Sequence, residues 1–308
     1  MFDLDSVMVI TYLVMTLAIG IYYGRGTKTI EIFATGGRNF STISLVSTIT
    51  ATYIAGGTLV NGINYAYKDG LLKFLVGSGV VIALLLIGNV FVPRMKEFLN
   101  KLSVADIMGS LYGDKVRIIT AIAGFITAVG MIAIQRKILA ATLAYFGNIS
   151  VDYAVIISAV VLILYSTFGG IKSVTFTDVI QFLTFFIAVP TIAIEICRSL
   201  ASSGDVEIYN IAFSHAMLFD NKSGTDYLTL FFYLLIPTLE PTLVQRIVIG
   251  RTTQQITKAF QISAVIFFIY KLIPTIIGIM LFAHNTNLEM NSVFAYMIDE
   301  FSPPGIKG

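Results

Sequence analysis

The sequence predicts an all-α protein that crosses a membrane several times. Of its 308 residues, 56% are hydrophobic and only 12% are charged, and the mean hydropathy is +0.85. A typical soluble domain carries about 25% charged residues, and a soluble protein this apolar would expose large hydrophobic patches. The apolar residues form continuous runs and do not alternate with polar ones, which favours helices over strands. We therefore expect lipid to surround most of the chain.

Eight apolar stretches are long enough, or nearly long enough, to cross a bilayer, whose core needs about 20 helical residues. They cover residues 6–23, 41–65, 71–92, 118–146, 153–168, 179–197, 227–249 and 256–283, numbered below as spans one to eight. The first stretch is too long for the core of a signal peptide and lacks a basic start, so it is expected to remain as a span.

The distribution of Lys and Arg predicts the orientation, because these residues are enriched in cytoplasmic loops. One alternating set of connections holds twelve of the 20 Lys and Arg residues, counting Arg246, and the other set holds five, counting Lys73. The remaining three, Arg136, Lys137 and Lys271, fall inside predicted spans. We expect an inner (plasma) membrane protein with its N-terminus outside.

Several classes of function are not indicated. Cys197 is the single cysteine, so the sequence has no internal disulfide and no four-cysteine metal site. His215 and His284 are isolated in polar connections and have no partner in the sequence. The net charge of +2 and the lack of a basic run do not suggest nucleic acid. No nucleophile–base pair or phosphate loop points to an enzyme, and no organic cofactor is expected.

Two of the predicted spans should be interrupted. Span two contains Gly56 and Gly57 next to Thr58, and span seven contains Pro237 and Pro241. Glycine weakens a helix by about 1 kcal/mol, and each proline removes a backbone donor and clashes with a preceding carbonyl.

In hydrocarbon, such unpaired backbone is tolerated only where it lines a cavity or is buried in protein. Interrupted helices in corresponding places are typical of a transporter site. The two breaks lie five helices apart, which matches a pair of five-helix repeats. The alternative is that the glycines form a close-packing face and the prolines are simple kinks.

Three groups of motifs carry a resemblance to a known family. They are 33–38 with 50–62 and 67–70, the connection 165–181, and Gln245 with Arg246 after the break in span seven. With them, nearly the whole chain resembles the sodium:solute symporter family, which includes proline, pantothenate and sodium–glucose symporters. In the connection, we expect Gly169 and Gly170 to end span five with a left-handed cap. Thr177 should cap the N-terminus of span six, with Asp178 complementing its positive end.

The resemblance implies a LeuT-type core, in which two inverted five-helix repeats follow one extra helix. It divides a single transmembrane domain, 1–308, into four parts: an extra first helix (6–23), the first repeat (41–197), two helices of an incomplete second repeat (227–283) and an external loop (284–308). The final residues, 303–308, resemble the loop before the family's next helix, which supplies serine or threonine ligands to sodium. On this basis the chain is expected to be C-terminally truncated.

By the same resemblance, the backbone carbonyls of Ala51 and Ile54 would bind sodium, the coupling ion. The alternative is an ordinary helical hydrogen bond for each carbonyl. Tyr53 stands where proline-type members have an aspartate, which argues against proline as the solute.

The residues implied to contact the solute lie at the two breaks. They are Ala55, Gly56, Gly57, Thr58, Tyr233 and Glu240. Glycines permit a ligand to approach backbone amides closely, although small residues also pack helices together. Tyr233 lies about one turn before the break in span seven and could equally be a packing residue.

Glu240 is the most unusual of these residues, because a carboxylate near the middle of a membrane costs at least about 2.5 kcal/mol. It could couple a cation, bind a substrate amine, or form a structural ion pair with Lys271 or Arg136. The structural pair with Lys271 is the slightly preferred interpretation.

These patterns predict sodium-coupled symport of a small organic solute, such as an amino acid, a sugar or a carboxylate. The expected partners are this solute, the lipid bilayer and a separately encoded C-terminal half. Two alternatives remain open at this point: a non-functional remnant of a split gene, and a sensory membrane module.

Overall fold

The computed structural model describes residues 4–25, 29–54, 56–147, 149–202, 206–217, 224–290 and 292–303, and these are all helical or in short connections. The first eight helices are α1 (Leu4–Gly24), α2 (Ile30–Thr35), α3 (Thr42–Tyr53), α4 (Gly56–Asp69), α5 (Leu72–Leu86), α6 (Val92–Arg94), α7 (Val104–Tyr112) and α8 (Asp114–Gly147). The others are α9 (Val151–Ser202), α10 (Val206–Ala216), α11 (Gly224–Leu235), α12 (Pro241–Val248), α13 (Thr253–His284) and α14 (Val293–Phe301). Short 3-10 turns occur at Gly36–Arg38 and Lys96–Phe98, and a π-helical turn at Ile87–Phe91 joins α5 to α6.

Five helical stretches of the described chain are long and apolar enough to cross a membrane. They are Leu4–Gly24, Leu72–Arg94, Asp114–Ile134, Gly169–Ala201 and Thr253–His284, and they match predicted spans one, three, four, six and eight. The bent pair α3 and α4 makes a sixth. Predicted span five corresponds to the shorter apolar helix Val151–Leu164, and span seven to the separate helices α11 and α12. The predicted all-α class is therefore confirmed.

Spans five and six join at a sharp kink. Gly170 interrupts α9 with φ 55° and ψ −156°, and a Cβ there would lie 2.8 Å from the Phe33 carbonyl oxygen in α2. A residue with a side chain would be strained at this φ and would also clash. The break predicted at the paired glycines is confirmed, although its ψ is not that of a left-handed helical cap.

The predicted cap of span six at Thr177 is wrong. The helix runs without interruption from the kink through Thr177, whose hydroxyl donates to the Val174 carbonyl 2.9 Å away. A hydroxyl in a helix can bond back to a carbonyl of the preceding turn in this way. Packing stabilises the extra turns, since the Phe176 ring stacks on Tyr23 of α1 with 3.9 Å between centroids. Asp178 consequently lies within the helix and has a different partner, described below.

The core surrounds α13, which contacts α3, α4, α5 and α9. Phe260, Ala264 and Phe267 of α13 are almost fully buried in it. Gly278 lets α13 approach α4 closely, because a Cβ there would lie 2.5 Å from the Ile63 carbonyl oxygen. Both half-helices of span two are thus held against one long continuous helix, whereas α11 of span seven packs on α5 and α12 packs on α3 and α7.

The segment predicted as an external loop, 284–308, contains a helix. Val293, Met297 and Phe301 of α14 follow one another at four-residue spacing and are buried. This spacing places them on one helix face, and α14 packs against α4 and α13. The loop prediction missed α14 because nine residues are too few to register as a span.

Candidate functional site

The break in span two lies between α3 and α4, whose axes differ by 52°. Ile54 ends α3 with φ −98° and ψ 50°, outside the helical range, while its N–H still donates to the Thr50 carbonyl at 2.9 Å. The last carbonyls of a helix have no hydrogen-bond donor within that helix. Because the helix is broken here, no following helical turn supplies a donor. Ala51 and Ile54 are 8% and 1% exposed, so their backbone is buried in protein at this break.

The break in span seven separates α11 from α12. The chain leaves helical geometry after Leu235, and Glu240 precedes α12 with φ −68° and ψ 158°. Pro241 occupies the first helical position, where its missing N–H removes no bond. The Glu240 side chain makes no capping hydrogen bond. Both predicted breaks are therefore confirmed, and the alternative of simple kinks does not hold for span seven.

The helices next to the two breaks are in contact, since α12 of span seven packs against α3 of span two. Among the described residues Glu240 forms no ion pair, so neither the preferred pairing with Lys271 nor that with Arg136 is found. The reason is topological: Lys271 instead lines a cavity between α4, α5 and α13, and Arg136 is exposed on α8.

An ion pair absent from the sequence predictions joins α12 to α9. The Arg246 Nη2 of α12 lies 3.0 Å from Asp178 Oδ2 of α9, and the two side chains are only 9% and 13% exposed. The Thr48 hydroxyl of α3 donates to the same carboxylate oxygen, and the Arg246 Nε donates to Thr52 Oγ1 at 3.4 Å. This network, Asp178, Arg246, Thr48 and Thr52, ties α3, α9 and α12 together one turn below the break in span two.

The sequence predicts part of this network. Gln245 and Arg246 belong to a family motif, but the position of Arg246 near the end of an apolar run predicts a cytoplasmic loop residue. Arg246 lies in α12 and is buried. The sequence predicts that the Asp178 carboxylate complements the N-terminus of span six. The helix does not begin at that point, so this role is absent. A charged residue inside an apolar stretch was the available clue to a buried pair.

The other predicted site residues lie in different parts of the structure. Ala55 lies outside the described residues, whereas Gly56, Gly57 and Thr58 form the first turn of α4. Thr58 also lines the cavity with Lys271. Tyr233, on α11, is 64% exposed. No group of three or more His, Cys, Asp or Glu suited to a metal occurs among the described residues.

An all-α membrane fold with two interrupted, adjacent helices defines the class of a secondary transporter core. A sequence model of the sodium:solute symporter family matches residues 33–297, and the chain belongs to that family. Its fold matches a Na+-coupled sialic acid symporter, solved in a substrate-bound outward-open state, with a TM-score of 0.86 and 20% identity over 99% of this chain and 68% of that one. The LeuT-type class predicted from sequence is confirmed, and the family consists of transporters and not enzymes.

The proteins to which the chain is similar are named for different solutes. The sodium/sialic acid symporter NanT of Aliivibrio fischeri is 24% identical over 99% of this chain and 64% of its own length. The sodium/pantothenate symporter of Escherichia coli is 27% identical over 62% of this chain and 41% of its own. A high-affinity choline transporter of Caenorhabditis elegans is 28% identical over 60% and 34%. The chain thus spans between one third and two thirds of the length of these relatives.

Proposed function

We propose that this chain carries the ion- and solute-contacting half-helices of a sodium-coupled symporter for a small organic solute. The observation that supports this most strongly is the presence of two interrupted helices, α3 with α4 and α11 with α12, the first of which is broken at buried backbone. In a bilayer, backbone left without helical partners needs a cavity or a ligand to satisfy it.

Sodium is proposed to bind at the end of α3. Na+ is a hard cation that prefers oxygen ligands, and the carbonyls of Ala51 and Ile54 lie in the segment where the helix ends. A helix C-terminus also carries partial negative charge, which favours a cation. The buried position of both residues fits such a role, because water is excluded from competing for the ion.

The solute is proposed to bind between the breaks, at Gly56, Gly57, Thr58, Tyr233 and Glu240, with Ala55 beside them. The N-terminus of α4 offers unpaired N–H groups to a polar solute group. The Glu240 carboxylate is partly exposed and forms no ion pair among the described residues. It is therefore free to meet a solute amine or a second cation.

The buried network of Asp178 and Arg246 is proposed to close the cytoplasmic side of this site. It connects the inner half of each broken span to α9, so opening toward the cytoplasm would separate these charges. Differential binding of sodium to the two arrangements would then drive uptake. The proposed setting is the inner (plasma) membrane, with the N-terminus outside.

The test is solute uptake by the purified chain in proteoliposomes. Labelled sialic acid, pantothenate and choline are offered in turn with an inward Na+ gradient or an equal K+ gradient. At least one solute should accumulate with Na+ only, and Gly57→Val should remove this uptake by filling the break. Gly130→Val is the matched control, because Gly130 in α8 faces open space. Equal uptake in Na+ and K+, or no loss in Gly57→Val, would contradict the proposal.

A further inference from the structure

A small cavity lies between α4, α5 and α13, just outward of the break in span two. Its volume is about 30 Å³, and its walls include Thr58 and Gly62 of α4, Lys73 of α5, and Tyr270 and Lys271 of α13. This volume accommodates one ion or one small ionised group and is too small for a whole organic solute. Of the described residues that line it, none is Asp or Glu.

Two lysine side chains line this cavity, Lys73 of α5 and Lys271 of α13. Lys271 lies in the middle of an apolar helix, and its ammonium makes no hydrogen bond or ion pair with another described residue. The charge of Lys73 is partly compensated, since its Nζ lies 4.0 Å from the centroid of the Tyr65 ring. One positive charge is thus left without a counter-charge.

The backbone around Lys271 is shaped to hold this charge. Gly77 of α5 leaves the space that the ammonium occupies, because a Cβ there would lie 1.2 Å from Lys271 Nζ. The Tyr270 hydroxyl is buried and has no hydrogen-bond partner among the described residues. A buried hydroxyl without a partner is destabilising, and an acceptor in the cavity would satisfy it.

We propose that this cavity is a small-anion site, which holds one chloride ion or one carboxylate group between Lys73, Lys271 and the Tyr270 hydroxyl. Ammonium and phenol groups donate hydrogen bonds, and bonds to a charged acceptor are about twice as strong as neutral ones. An anion would neutralise the unpaired charge that otherwise raises the cost of placing Lys271 in a membrane. The carboxylate could belong to the solute, in which case the site extends the proposed function and makes the solute an acid.

The test is equilibrium binding of 36Cl⁻ to the purified full chain, with acetate as a competitor. We expect saturable binding that weakens about tenfold or more in Lys73→Met and in Lys271→Met, since each removes a charge-assisted bond. Tyr270→Phe keeps the shape of the side chain and should weaken binding about threefold. Lys258→Met is the matched control, because Lys258 is an exposed lysine of the same helix.

A second pair of variants tests the geometry without removing a charge. Gly77→Ala should displace the Lys271 ammonium and weaken 36Cl⁻ binding about tenfold, whereas Gly130→Ala should leave it unchanged. Size-exclusion chromatography and circular dichroism establish that each variant is folded. Binding that is absent in the wild type, or that survives both lysine substitutions, would overturn the anion site.

Two further measurements separate the possible ligands and the two proposals. Competition by acetate at concentrations similar to chloride would identify a carboxylate site, and failure to compete would identify a halide site. Binding of 22Na+ to the same preparation reports on the proposed function. A chain that binds 22Na+ and no anion overturns only the anion site. A chain that binds 36Cl⁻ and no 22Na+ supports the anion site and contradicts the sodium site.

Discussion

Replacing Asp178 with Asn should strongly destabilise the fold, because it leaves a buried arginine without its counter-charge. The Asp178 carboxylate accepts from Arg246 at 3.0 Å and also from the Thr48 hydroxyl, and both charged side chains are about nine-tenths buried. Breaking a buried pair by removing one partner costs about 3–5 kcal/mol. Asn keeps the side-chain volume and one acceptor oxygen, so the decrease in unfolding free energy reports the removed charge and not a cavity.

The assay is unfolding of the purified chain in mixed micelles by SDS, followed by circular dichroism. Glu195→Gln is the matched control, because Glu195 and Arg198 form an ion pair at 3.5 Å whose side chains are 43% and 74% exposed. An exposed pair contributes about 0–1 kcal/mol. The double variant Asp178→Asn with Arg246→Gln should recover part of the loss, since no charge is then buried alone. Equal unfolding free energies in Asp178→Asn and Glu195→Gln would refute the reasoning.

Three further predictions concern α4, α10 and α13. Burial lowers the pKa of His215, against smaller opposing effects of backbone hydrogen bonds at Ala66 and Tyr67 and of the Asp69 carboxylate. The unfolded chain therefore binds the proton first, and the unfolding free energy should fall as the pH drops below about 6.5. His215→Gln should flatten this decline in SDS unfolding curves taken from pH 7 to pH 5, and an unchanged slope would contradict the burial argument. Gly278→Ala should lower the unfolding free energy by about 1–3 kcal/mol, because the added methyl group forces α13 away from α4. Gly130→Ala, whose methyl group would lie in open space, should not lower the melting temperature. Tyr67→Phe should cost about 1–3 kcal/mol in the same unfolding assay, because its buried hydroxyl bonds two backbone groups after α13, at 2.7 and 3.0 Å; a stability equal to wild type would exclude this role.

The helical breaks could be predicted from sequence because their cause is local. Gly56, Gly57, Pro237 and Pro241 restrict or release the backbone at their own positions, and the breaks appear where those residues stand. The same holds for Gly170, whose positive φ ends the first part of α9. Such effects depend on a few neighbouring residues, which a single sequence displays directly.

The side-chain partners could not be predicted because they join distant parts of the chain. Arg246 and Asp178 are 68 residues apart, and no periodic pattern links them. Lys271 was expected to meet Glu240, but the fold directs it toward Lys73 and the space left by Gly77. Choosing among several charges inside a membrane requires the packing of the helices, which composition and spacing do not contain.

The central claim is that backbone at both breaks, buried in protein at the α3–α4 junction, is left free to hold sodium and its solute. Hydrogen–deuterium exchange of the purified chain in Na+ and in K+, resolved by peptide, tests it most directly. The account predicts slower exchange in Na+ for peptides that span the α3–α4 and α11–α12 junctions, with no change in α7. Identical exchange in the two cations at the α3–α4 junction would contradict it.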